Sequence, residues 1–63
     1  MPLMTTDEIA AWLQLQPETI REMARTGRIP AIKLGRVWRF NRDAIGSWIE
    51  QQTLIQTDEE QKG

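Results

Sequence analysis

Four residues in the middle of the chain, Pro17, Gly27, Pro30 and Gly35, leave room between them for one short helix and one tight hairpin and for little else. Pro17 suits the first position of a helix, where its missing N–H costs nothing. Ile20, Met23 and Ala24 then form an apolar stripe at i, i+3, i+4. Gly27 supplies the left-handed residue that ends this helix, and Pro30 forbids its resumption. Glu18, Thr19, Arg21, Glu22 and Arg25 face outward, a polar surface rich in hydrogen-bonding groups. Beyond it, Ala31 to Leu34 and Val37 to Phe40 read as two strands around Gly35-Arg36. Two registers compete. A two-residue type II′ turn with Gly first sets Ile32 opposite Arg39 and Lys33 opposite Trp38. A three-residue loop, Gly35 to Val37, instead gathers Ile32, Leu34, Trp38 and Phe40 on one face, with Lys33 and Arg39 on the other. A slip of one residue inverts every side chain, so burial normally decides, and burial favours the second pairing.

Met4 to Ile9 has the marks of a helix start. Thr5 at the N-cap and Glu8 three residues on form a capping box, with Met4 and Ile9 at the staple positions. Asp7 and Glu8 in the first turn also suit the helix dipole. Ile9, Ala10, Trp12 and Leu13 share a face, so the first helix is expected from about Thr6 to about Leu13. Gln14-Leu15-Gln16 leaves only a tight helix–helix turn, with Leu15 as its inward anchor. Asn41 caps a third helix beginning at Arg42, whose stripe is Ala44, Ile45, Trp48, Ile49 and Gln52. Gly46 weakens that helix by about 1 kcal/mol relative to Ala. The pattern is lost from Thr53, so residues 1–52 are expected to form one domain and residues 53–63 an acidic, disordered tail. The expected fold is mainly α with a small β-hairpin, in the order helix, helix, hairpin, helix.

Sixty-three residues support one small core. The chain has neither Cys nor His, which removes disulfides, thiolate ligation and the commonest metal ligand, and no cofactor is expected. Stability must then come from helix caps and a few large side chains, with Trp12, Trp38 and Trp48 expected in the core. No apolar run approaches the roughly 18 residues of a membrane span. The N-terminus lacks the basic-then-apolar layout of a secretion signal, so a cytoplasmic location is expected. No pair of carboxylates, no nucleophile with a base and no phosphate-cradling Gly loop is present, which argues against an enzyme.

Charge is the informative part of the composition. The net charge of −1 conceals a polarised chain: Arg21 to Arg42 contains six Arg and one Lys against Glu22 alone, between two acidic flanks. A phosphate backbone responds to local field, not to the overall isoelectric point. For any one of these cations a solvated surface is an adequate explanation, but such clustering in an acidic protein points to a polyanion.

Two short helices joined by a tight turn have the geometry of a helix-turn-helix, whose second helix enters the major groove of DNA, and the hairpin adds a wing. The run from Met4 to Ile49 resembles the excisionase-type branch of winged helix-turn-helix DNA-binding domains, related to the N-terminal domain of MerR-type regulators. The most specific part is Gly27-Arg28-Ile29-Pro30 followed by Lys33-Leu34-Gly35-Arg36-Val37-Trp38-Arg39-Phe40. The resemblance implies that Glu18, Thr19 and Glu22 face the major groove and that Arg36 reaches the neighbouring minor groove. It implies phosphate contacts from Arg21, Arg25, Lys33 and Arg39. Arg28, from the same basic window, completes the expected DNA-binding set. Glu18 and Glu22 suit cytosine N4 as acceptors, or simply pair with Arg21 and Arg25 at helical spacing. Two positions depart from the family pattern. Gln14 stands where the turn usually has Gly, so either Gln accepts a costly backbone conformation or the turn differs. Gln16 replaces the usual Ser or Thr cap, a loss of roughly 1 kcal/mol.

The function these readings imply is sequence-specific binding of double-stranded DNA, as an excisionase-like recombination directionality factor or a small transcriptional regulator. Partners are then an integrase or recombinase, or RNA polymerase. With no long coiled-coil pattern at the C-terminus, a monomer that binds neighbouring sites cooperatively is expected. The alternative is a protein-interaction module that reuses the helix-turn-helix surface.

Overall fold

The computed structural model describes the backbone of residues 3–62 and the side chains of residues 3–52. In chain order the elements are β1 (Leu3–Thr5), α1 (Thr6–Leu13), α2 (Pro17–Arg25), β2 (Ile32–Leu34), β3 (Val37–Asn41) and α3 (Arg42–Lys62). The strands form one antiparallel sheet in the order β1-β3-β2. This is a winged helix-turn-helix with a strand the sequence did not announce. Three residues next to a helix cap carry too little alternation to reveal β1.

The helix starts follow their capping residues. In α1 the Glu8 amide donates to Thr5 Oγ1 at 3.1 Å while the Thr5 amide donates to Glu8 Oε1 at 2.9 Å, completing the capping box. Pro17 opens α2, but Gln16 before it makes no side-chain cap. At α3 the Ala44 amide donates to Asn41 Oδ1 at 2.9 Å.

The two helix ends in the motif are built alike. After α1, the Gln14 amide donates to Ala11 O (3.3 Å) and the Leu15 amide to Ala10 O (2.9 Å). After α2, the Gly27 amide donates to Ala24 O (3.2 Å) and the Arg28 amide to Met23 O (2.8 Å). Both are Schellman endings, which need one left-handed residue. Gly27 supplies it at φ +75, and Gln14 supplies it at φ +59. Gln14 therefore takes the costly conformation.

Four elements each send one large side chain into full burial: Ile9 from α1, Ile20 from α2, Phe40 from β3 and Ile45 from α3. Ala10, Ala24 and Ile29 fill the gaps between them. Full burial of such side chains contributes roughly 1.5–3 kcal/mol each.

The hairpin corrects the expected register. Ile32 faces Arg39, Lys33 faces Trp38 and Leu34 faces Val37, leaving Gly35-Arg36 as a two-residue turn. Gly35 has φ +64 and Arg36 has no positive φ, the pattern of a type II′ turn. Turn geometry wins over burial because β1 and β3 already fill the inner face: Met4 pairs with Phe40, and Trp38 follows with the sheet's period of two. Ile32, Leu34 and Val37 consequently point outward. Lys33 shares the Trp38 face of the sheet, stays exposed on the edge strand, and lies over the Trp38 ring at 5.3 Å from its centroid.

Two further expectations are corrected. Trp12 is 39% exposed and Leu15 43% exposed, so neither belongs to the core. Trp12 sits on the flank of α1, where the Arg42 guanidinium covers its ring at 5.4 Å. Leu15 is held by its backbone bond to Ala10 and leaves its side chain outside. Trp38 and Trp48 are half-buried against the core. The backbone of α3 is helical through Lys62, and no Gly or Pro interrupts it after Gln52. The boundary expected at residue 52 and the disorder expected beyond it fall where side chains lie outside the described residues.

Candidate nucleic-acid interface

The short turn sets α2 beside α1 so that Ile20 and Ala24 are buried and Glu18, Thr19, Arg21, Glu22 and Arg25 are exposed. At 3.6 residues per turn, Glu18, Glu22 and Arg25 form the outward centre, with Arg21 on one flank and Thr19 on the other. This face neutralises itself. Arg21 Nη1 donates to Glu18 Oε1 at 2.8 Å, and Arg25 Nη2 donates to Glu22 Oε1. Such exposed pairs hold only about 0.3–0.5 kcal/mol each, so each arginine can exchange its carboxylate for a phosphate at little cost.

Positive charge without a counter-ion lies elsewhere. Between Met23 and Arg42 there is no acidic residue. Among the described residues, Arg28, Lys33, Arg36 and Arg39 enter no ion pair. The excess positive charge between Arg21 and Arg42 is therefore carried mainly by the hairpin, through Lys33, Arg36 and Arg39.

The sheet brings part of this charge to α2. An open groove of about 390 Å³ is lined by Arg21 from α2, by Arg36, Val37, Trp38 and Arg39 from the hairpin, and by Thr5, Thr6 and Asp7 where β1 enters α1. Arg36 is exposed at the turn. Arg39 is half-buried between Thr5 and Ile32, its register partners on the two neighbouring strands, and its Nη1 donates to Trp38 O at 2.8 Å. Three of the nine expected DNA-binding residues thus converge: Arg21, Arg36 and Arg39.

The others do not line this groove. Glu18, Thr19, Glu22 and Arg25 remain on the open face of α2, and Lys33 lies over Trp38. Arg28 stands at a separate hollow of about 440 Å³ with Gly27, Ile29, Pro30, Trp48, Gln51 and Gln52. There Trp48 Nε1 donates to the Arg28 carbonyl at 3.1 Å. Sequence reasoning missed Thr5, Thr6, Asp7 and Val37 as groove residues. From sequence, Thr5 is accounted for by the capping box, Thr6 as the start of the helix and Asp7 by the helix dipole, and the three-residue loop keeps Val37 out of the strand.

The arrangement can accept a ridge of negative charge against the groove while α2 presents carboxylates and guanidinia to whatever lies beside it. A family model described as a helix-turn-helix domain matches residues 3–53. Compared with curated proteins and with solved structures, the chain has no match. The family match spans every described strand, both helices of the motif and the start of α3, and the chain belongs to the excisionase-type family of helix-turn-helix domains.

Proposed function

We propose that the chain reads double-stranded DNA sequence with α2 in the major groove while the β2–β3 wing grips the adjacent minor groove. The observation that carries this reading is the groove in which Arg21 of α2 and Arg36 and Arg39 of the wing come together. A helix and a hairpin that share one basic hollow bind one duplex, not two separate partners. Arg21, Arg25, Lys33, Arg36 and Arg39 serve phosphates and the minor groove, Arg28 extends the basic surface, and Glu18, Thr19 and Glu22 face base edges. In cells this activity serves as a directionality factor beside an integrase or recombinase, or as a small regulator beside RNA polymerase. A single module buries only roughly 600–1,000 Å² on DNA, so monomers bound at neighbouring sites assist one another.

Selection of bound duplexes from a random pool, followed by titration at several salt concentrations, tests the reading. Neutralising four to five phosphates gives a slope of log K against log salt of about −4. A flat salt response with no enriched sequence overturns the DNA reading and favours a protein-interaction module.

A further inference from the structure

The wing carries apolar surface that the core does not use. Leu34 and Val37 face each other across the turn and are 49% and 44% exposed, with Ile32 beside them on the same sheet face at 37%. Threonine would serve strand formation at such positions, and lysine is the residue that commonly protects an exposed strand edge. Val37 lines the basic groove together with Arg21, Arg36 and Arg39, so the apolar pair continues the charged surface without a break. Arg36 sits in the turn between the two side chains.

We propose that Leu34 and Val37 form an apolar grip that straddles Arg36 and packs on the deoxyribose walls of the minor groove. The proposal rests on the reading that the wing binds duplex DNA. It assigns that binding a component that salt does not weaken, because no counterion is released when carbon meets carbon. Charge selects this occupant. The hairpin's ionic side chains are all cations, with no acid between Met23 and Arg42, and the groove that Val37 lines sets Arg21, Arg36 and Arg39 against Asp7 alone, so an apolar partner that seats here must tolerate a predominantly cationic rim. Size excludes a second copy of the chain. A stable dimer takes about 800 Å² from each partner, about a sixth of the 4803 Å² exposed here, and two side chains at a hairpin tip are a narrow ridge.

The test compares wild type with the double variant Leu34→Thr, Val37→Thr, on one selected and one unselected labelled duplex, across a salt series. Threonine keeps strand propensity and charge. Affinity for both duplexes is expected to fall about tenfold at every salt concentration, with the salt slope and the melting temperature unchanged. If wild type binds and the variant binds equally well, or if the slope changes, the grip is refuted while the DNA reading stands. If sedimentation shows wild type associating and the variant monomeric, with DNA affinity equal, the patch belongs to a second copy. If wild type binds neither duplex, the DNA reading fails and the grip with it. Should the double variant melt early, the near-isosteric Val37→Thr alone decides: about threefold weaker binding is expected, and no change refutes the grip.

Discussion

Gln14 and Gly27 close consecutive helices with the same pair of hydrogen bonds, yet only Gly27 is free of the steric cost of a left-handed backbone. A side chain in that region costs roughly 1–2 kcal/mol, offset partly by the lower chain entropy of a non-glycine residue. Gln14→Gly is therefore expected to stabilise the domain by about 0.5–1 kcal/mol, read as a higher denaturant midpoint at unchanged m-value. The side chain lies outside the basic groove, so DNA affinity should not move. A lower midpoint would mean that Gln14 makes a compensating contact in solution.

Arg36 and Arg42 separate charge that binds from charge that packs. Arg36 projects from the turn into the groove, while the Arg42 guanidinium lies 5.4 Å from the Trp12 ring centroid. Arg36→Ala should weaken DNA binding, reduce the salt slope by about one and leave thermal melting as it was. Arg42→Ala should show the opposite pattern, losing about 0.5–1 kcal/mol of stability and keeping the slope. Early melting of the Arg36 variant would make that residue structural.

The helices were legible because their signals are local. Thr5 and Glu8, Gly27 and Asn41 each mark a boundary through a bond made within a few residues, Pro17 marks one through its fixed φ and missing N–H, and each boundary stands where its residue placed it. What escaped depends on distant pairing. β1 exists because Met4 meets Phe40 across the sheet, and nothing in Leu3-Met4-Thr5 alone declares that partner. Its arrival also undoes the burial argument for the hairpin, since it helps fill the inner face and lets the turn choose the register. The same pairing carries Thr5 and Asp7 to the groove. That Arg21, Arg36 and Arg39 would share one groove, while Glu18, Thr19, Glu22, Arg25, Arg28 and Lys33 stay out of it, was not readable, because it depends on how the sheet docks beside α2.

Asp7 is an acid in a basic groove. It is exposed, shares the lining with Arg21, Arg36 and Arg39, and has no ion-pair partner among the described residues. Its charge repels any phosphate that enters, by roughly 1 kcal/mol at contact in a solvated site. Asp7→Asn should tighten binding to an unrelated duplex about two- to fivefold and narrow the ratio between selected and unrelated sequences. The same change removes a favourable charge from the first turn of α1, so melting should fall by the equivalent of about 0.3–1 kcal/mol. Lower stability with unchanged affinity would show that bound DNA does not approach Asp7.

Trp48 is the side chain by which α3 holds the end of α2. Arg28 directs its amide to Met23 O at 2.8 Å and its carbonyl to Trp48 Nε1 at 3.1 Å, so this one residue is tied to α2 on one side and to α3 on the other. The pair lines a hollow that shares no lining residue with the basic groove, and no contact with bound DNA is proposed for Trp48. Trp48→Phe keeps an aromatic ring and deletes the donor, leaving the carbonyl to solvent at a cost of about 0.5–1.5 kcal/mol. The expected result is a lower melting temperature, faster amide exchange at Arg28 and Ile29, and weaker binding to the selected duplex. The salt slope should stay the same, because no phosphate contact is lost. A changed slope would place α3 against the duplex, and unchanged exchange at Arg28 would show that the Schellman ending of α2 holds the loop without help.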